Sequence, residues 1–332
     1  MPHTVLYMGG APQAHRDVTL SVEPDGFEHV FLERDDTPDE ARAKLAEADF
    51  IVTGSITAEQ IAQAAGVKMI QMPGVGYEKI DVEAAQARGI PVAITPEGTI
   101  TGVSEHVILL MLAILKHLPD AHNALKAGRW IHNDLRHTAL MLEEKRVGIL
   151  GLGRIGREVA KRLRGFDVDA VYHDVVRQPP EVEQALGVTY LPFEELLQTA
   201  DLITLHVFLA EGSAHLIGAK ELGLMKSSAV LVNTSRGGVI DEVALYAALR
   251  SGRIMAAGLD VFEVEPTPPD NPILTLDNVV VTPHMATANR DSMIKKSQAC
   301  YANFGRVLRG ETPINTVLPY RAVEAAAATT PG

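Results

Sequence analysis

Three short segments carry residue types that suit one reaction. Thr234-Ser235-Arg236-Gly237-Gly238 follows the apolar run Val230 to Asn233. Asp260-Val261-Phe262-Glu263-Val264-Glu265-Pro266 follows Ala256 to Leu259. Pro283-His284 follows Val279 to Thr282. A doubly wound sheet gathers its ligands beyond the C-terminal ends of its strands, so three such strands would bring an arginine, an acid and a histidine to one edge. That set suits reduction of a carbonyl. A histidine can hand a proton to oxygen as hydride reaches carbon. A carboxylate beside it would stabilise the imidazolium, and an arginine can grip a carboxylate or polarise a carbonyl. Each residue also has a plainer reading: Arg236 as a surface arginine, Glu265 as a solvated loop acid ahead of Pro266, His284 as a structural histidine at a strand end.

A hydride needs a carrier, and the stretch KRVGILGLGRIGREVA, Lys145 to Ala160, has the form of a dinucleotide-binding turn. A buried strand leads into Gly151-x-Gly153-x-x-Gly156 and then into a helix. Gly151 permits the tight turn, Gly153 lets the backbone approach a pyrophosphate, and Gly156 lets helix and strand pack closely. Asp174 follows 18 residues after Gly156, at the end of a second apolar run, where a carboxylate for ribose hydroxyls belongs. It could also be a turn residue. Such a glycine spacing can arise by chance in a chain with 27 glycines, so the strand, helix and acid around it carry the argument.

These sites need elements to hold them. A chain of 332 residues is long for a single core, which predicts two domains. In the first hundred residues, expected strands at Val5 to Met8, His29 to Leu32, Phe50 to Thr53, Val67 to Gln71 and Pro91 to Ile94 alternate with helical patterns. Thr37-Pro38 and Thr57 read as helix starts. This alternation implies a parallel sheet flanked by helices. A long apolar helix is expected from Gly102 to about Leu118, then a polar stretch, His122 to Glu144. Six further strands follow, at Arg146 to Leu150, Val168 to Tyr172, Leu202 to His206, Val230 to Asn233, Ala256 to Leu259 and Val279 to Thr282. A last helical pattern, Ala288 to Leu308, is expected to return to the first domain. The predicted class is therefore α/β, with two doubly wound parallel-sheet domains. A Rossmann domain, 102–288, is inserted into a flavodoxin-like substrate domain made of 1–101 and 289–332.

Composition narrows the function classes. The net charge is −12 and no basic patch appears, which argues against nucleic acid. One cysteine, Cys300, allows no internal disulfide and fits a reducing, cytoplasmic setting. The N-terminus MPHTVLYMGG lacks the pattern of a signal peptide. The longest apolar run, Val107 to Leu115, is nine residues, too short to span a bilayer. The tail beyond Val323, EAAAATTPG, is low in complexity and expected to fray. No cluster has metal-ligand spacing, and hydride chemistry requires no metal.

Together NTSRGGVIDE, GLDVFEVEP, VVVTPH and GLGRIG resemble the D-2-hydroxyacid dehydrogenases. PGVGYEKIDVEAAQARGIPV and VSEHVILLMLAI extend the resemblance over nearly the whole chain. It implies an NAD-dependent, D-isomer-specific oxidoreductase with the substrate in the cleft between its domains. On the matching positions, Arg236 would bind the substrate carboxylate and keto oxygen, His284 would be the acid/base, and Glu265 would pair with it. Val75, Gly76 and Tyr77 would meet the substrate, the first two through backbone N–H groups. Asp260 would hold the nicotinamide carboxamide and Asp174 the adenosine ribose. Gly151, Gly153, Arg154, Ile155, Gly156, His206 and Thr234 complete the cofactor-binding set. From the residues alone, His106 and His206 lie in apolar segments and read as satisfied core histidines. Trp130 matches a tryptophan of the family, for which core or dimer packing is the first expectation and substrate contact stays open. His132, Arg136 and His137 could line the site or be surface. A homodimer is implied, through the apolar helix and the segment after it.

The chain departs from the family pattern in two places. Phe208 stands where a proline usually follows the Leu-His pair, and Met285-Ala286-Thr287 replaces an Ile-Ala-Gly run. Arg177, three residues after Asp174, could attract a 2′-phosphate, whereas Asp174 would repel one. NAD is therefore expected over NADP. Two other functions fit the same residues: an NAD-sensing corepressor-like binding protein, and a dehydrogenase acting on phosphite or formate.

Overall fold

The computed structural model describes residues 2–317. The tail expected to fray lies outside the described residues. The chain divides into two compact units, one formed by residues up to Thr99 and from Asn289 on, the other by Ile100–Ala288.

In the first unit, β1 (His3–Tyr7), β2 (Phe27–Phe31), β3 (Phe50–Val52), β4 (Met69–Met72) and β5 (Val92–Ile94) form one parallel sheet in the order β2-β1-β3-β4-β5. This is the flavodoxin-like order. Thr37 and Thr57 each close a capping box, with Glu40 and Gln60, and so fix two helix starts. The C-terminal helix, Arg290–Leu308, lays Cys300, Tyr301 and Phe304 onto Val5, Phe50, Val52 and Met69. Phe304 stacks on Phe50 with ring centroids 4.4 Å apart. That packing is the physical reason the end of the chain belongs to the first unit. Burial pushes the Cys300 thiol up to about 12, so it stays protonated.

In the second unit, β6 (Arg146–Leu150), β7 (Asp169–His173), β8 (Thr189–Tyr190), β9 (Leu202–Leu205), β10 (Val230–Asn233), β11 (Ala256–Leu259) and β12 (Val279–Val281) make a seven-stranded parallel sheet. Its order is β8-β7-β6-β9-β10-β11-β12, the Rossmann order with one strand added. The central strands β9, β10 and β11 are buried along their whole length, as expected of a sheet covered on both faces. The helix Thr99–Leu115 lies on one face; a Cβ at Gly258 would sit 3.0 Å from Ile114. The helix Phe193–Thr199 lies on the other, with Leu196 so close that a Cβ at Gly148 would meet it at 2.6 Å.

Several expectations need correction. The sheet has seven strands, not six; β8 is only two residues long and shows no readable period. The long helix runs from Thr99 to Leu115, not Gly102 to Leu118. It stops because His117 turns left-handed, at φ 49°, and a second helix, Leu118–Lys126, starts there and runs into the stretch read as polar. Among the described residues no single helix is long and apolar enough to cross a membrane; these two pass such a test only as a pair bent by 63°.

Candidate active site

Asn233, Leu259 and Val281 are paired neighbours at the ends of β10, β11 and β12, so the three chemistry-bearing segments leave the sheet level with one another. Each is then tied down locally. After β10, the buried Asn233 accepts from the Ser235 N–H at 3.0 Å and the Ser235 hydroxyl at 2.8 Å, and its amide donates to the Arg236 carbonyl at 2.9 Å. This fixes the turn that presents Arg236. Gly237 is required there, because a Cβ would stand 1.9 Å from the Phe262 carbonyl carbon. The Arg236 loop thus abuts the backbone that leads to Glu265.

After β11, the Phe262 N–H donates to Glu265 Oε1 at 3.0 Å. The other oxygen, Oε2, lies 2.7 Å from His284 Nδ1. Both side chains reach solvent, His284 at 52% and Glu265 at 34% exposure, so the ring is held yet open to a ligand. His284 adopts φ 50°, a left-handed conformation uncommon outside glycine, and its N–H donates to the Asp260 carbonyl at 2.8 Å.

Asp260 holds that conformation in place. It is 1% exposed. Its Oδ1 accepts from the Thr282 hydroxyl at 2.6 Å and the Met285 N–H at 2.8 Å; its Oδ2 accepts from the Ala286 N–H at 3.0 Å. His106 Nε2 stands 3.4 Å from Oδ1 and 2.9 Å from the Thr282 hydroxyl. Burial by itself would raise this carboxyl. The bonds from His106, Thr282, Met285 and Ala286 outweigh burial and hold it below its ordinary range, as a carboxylate. His106 is thus a satisfied buried histidine, but its partners make it part of the scaffold under His284. Sequence reasoning missed this duty of Asn233, Thr282 and His106. The available signal was their polarity at the ends or within the bodies of apolar segments.

The glycine turn lies along the same edge. Gly151 has φ 93°, and a Cβ there would be 2.7 Å from the His206 carbonyl oxygen. A Cβ at Gly156 would be 2.1 Å from the Gly151 oxygen. By contrast, nothing lies within 4 Å of the place where a Gly153 Cβ would stand. Gly153 caps the helix Arg154–Leu163, which has no side-chain cap and no acid in its first turn. Open space, a bare helix N-terminus and close packing on both sides fit a pyrophosphate. Asp174 Oδ2 accepts from the Leu152 N–H at 2.7 Å, which fixes the acid against the turn. Thr234 Oγ1 is the one buried side-chain polar atom among the described residues without a hydrogen-bond partner. A bound polar group would satisfy it. His206 Nε2 is 3.0 Å from the Thr204 hydroxyl. Burial lowers His206 to about 3, although part of the residue reaches the surface, so the ring is neutral at ordinary pH.

Other candidates fall elsewhere. Val75, Gly76 and Tyr77 lie half-buried in the loop after β4, in the first unit. Trp130 is 80% exposed, so packing in its own chain's core is excluded. His132, Arg136 and His137 are exposed, as is Phe208. Among the described residues no group of three or more His, Cys, Asp or Glu is placed to hold a metal.

Comparison with known proteins fits this geometry. Residues 108–286 match the family model described as D-isomer specific 2-hydroxyacid dehydrogenase, NAD binding domain. A glyoxylate reductase of Korarchaeum cryptofilum is 40% identical over 271 residues, covering 80% of this chain and 81% of its own. A D-3-phosphoglycerate dehydrogenase of Methanocaldococcus jannaschii is 41% identical over 285 residues, 85% of this chain; that match spans only 54% of the longer relative. The solved D-mandelate dehydrogenase of Rhodotorula graminis superposes with a TM-score of 0.84 at 26% identity, over 96% of this chain and 99% of that one.

Proposed function

Since the chain belongs to the D-isomer specific 2-hydroxyacid dehydrogenases, we propose that it moves hydride between NAD(H) and C2 of a small 2-keto or 2-hydroxy acid. The observation that carries the reading is the His284–Glu265 pair. A carboxylate can only accept, so Nδ1 keeps its hydrogen and Nε2 is left for the substrate oxygen. In the reducing direction Nε2–H donates to the carbonyl oxygen; in the oxidising direction the bare Nε2 takes the hydroxyl proton. Arg236 binds the substrate carboxylate, helped by the N–H groups of Val75 and Gly76 beside Tyr77. Gly151, Gly153, Arg154, Ile155, Gly156, Asp174, His206, Thr234 and Asp260 would hold the dinucleotide. When bound, the nicotinamide supplies or accepts the hydride.

The test is NADH oxidation with glyoxylate, hydroxypyruvate, pyruvate and phenylpyruvate, alongside NAD reduction with phosphite and formate. Turnover of at least one keto acid is expected, with phosphite and formate inert. Four inert keto acids would overturn the proposal.

The same reading includes a homodimer in a reducing cytoplasm. Leu109, Leu118, Leu125, Trp130 and Met141 are each at least half exposed within one stretch of the second unit, which supports a covered surface there. Light scattering should give twice the chain mass. Leu125→Glu with Met141→Glu should give the single-chain mass, and an unchanged mass would place the contact elsewhere.

A further inference from the structure

Arg177 lies three residues past Asp174, the residue read as the ribose acid, and its guanidinium is engaged by a neighbouring carboxylate. Its Nε and Nη2 donate to the two oxygens of Glu183 at 2.9 and 3.1 Å. The cation also lies over the Tyr190 ring, 5.4 Å from its centroid. Glu183 comes from the helix Pro180–Leu186. Its Oε1 accepts from the Tyr172 hydroxyl at 2.8 Å, and that hydroxyl accepts from the Gln178 N–H at 2.8 Å. Tyr172 belongs to the buried part of β7, so the carboxylate is anchored from the core outward. Glu183 is 13% exposed against 62% for Arg177; the acid is the fixed member and the arginine the captured one. Arg157, on the helix Arg154–Leu163, donates to the Leu152 carbonyl at 3.0 Å and to Gln178 Oε1 at 2.5 Å.

We infer that Glu183 sets cofactor choice: by holding Arg177 in a two-pronged pair it keeps that cation from a 2′-phosphate and so excludes NADP. A planar guanidinium whose fork is filled by one carboxylate cannot offer the same donors to a phosphate. The inference rests on the reading that Asp174 faces the adenosine ribose. Glu183→Gln keeps an acceptor for Tyr172 and removes the charge that holds Arg177.

The test compares adenosine 2′,5′-bisphosphate with ADP as displacers of bound NADH, followed by NADH fluorescence, and compares kcat/KM for NADPH and NADH. In Glu183→Gln the bisphosphate should bind about tenfold tighter and the NADPH/NADH ratio rise about tenfold, the size of one charge-assisted contact. ADP should be unaffected, and adding Arg177→Ala should abolish both gains. Arg177→Ala alone should leave the preference where it is, because that side chain serves neither cofactor in the native protein. An unchanged ratio in folded Glu183→Gln, or a gain that survives loss of Arg177, would overturn the inference. A loss of NADPH use in Arg177→Ala alone would do so too, even if Glu183→Gln did not fold. Asp174→Ala, run alongside, tests the reading underneath: unaltered NADH affinity would remove its premise, a result distinct from any change at Glu183.

Discussion

His284→Ala should lose about 10²- to 10⁴-fold in kcat, the range spanned by a positioned acid/base, while NADH affinity stays near the native value. The division follows from where the residue sits. His284 stands beyond β12 and is held by Glu265 and the Asp260 carbonyl, none of which belongs to the glycine turn that would carry the pyrophosphate. Stopped-flow single turnovers with NADH and the preferred keto acid would separate chemistry from binding. Near-native turnover would remove His284 from the mechanism. Glu265→Gln sharpens the argument. An amide can donate as well as accept, so it no longer obliges Nδ1 to carry the hydrogen. Reduction consumes the doubly protonated, positive ring, which loses the carboxylate charge beside it, so reduction should suffer more than oxidation. Equal losses in the two directions would show that Glu265 merely orients the ring.

Much of this site was legible in the sequence because parallel strands buried on both faces read as apolar runs, and ligand-facing residues follow such runs directly. Val230 to Asn233 and Ala256 to Leu259 are strands with those bounds. The residues after them do meet at one edge. The scaffold beneath was less legible. Asn233, Thr282 and His106 are single polar residues in or beside apolar segments, and nothing in a period or spacing shows that they converge on neighbouring turns. The left-handed His284 was invisible for the same reason, since its cause is Asp260, 24 residues earlier. Arg177 was legible as a cation three residues past Asp174 but not as one already paired, because its partner lies across a loop on the next helix. Trp130, read first as core or dimer packing, is exposed in the single chain, which removes the core half of that reading.

Asp260→Asn should damage the protein twice, and the pattern separates two duties of that residue. The carboxylate accepts from Thr282, Met285 and Ala286 inside a site that is almost completely buried. An amide replaces one acceptor oxygen with a donor and sets it against N–H or O–H groups. Leaving one such buried donor unmet costs about 1–3 kcal/mol, so the ligand-free protein should melt several degrees lower. The turn that holds His284 at positive φ loses its anchor, and kcat should fall about 10- to 100-fold, as expected when a reacting group is misplaced by a fraction of an ångström. If Asp260 served mainly to hold the nicotinamide carboxamide, the loss would instead appear as weaker NADH binding with an unchanged melting point. The pH dependence gives a further check. The folded carboxyl is depressed below its unfolded value of about 3.9, so its contribution is present above that pH and is lost as pH falls through the folded value. The stability gap between native protein and Asp260→Asn, measured by denaturant unfolding, should therefore be constant near neutrality and narrow below pH of about 4. A gap that stayed constant down to acid pH would mean that the ionised form of Asp260 does not hold the turn.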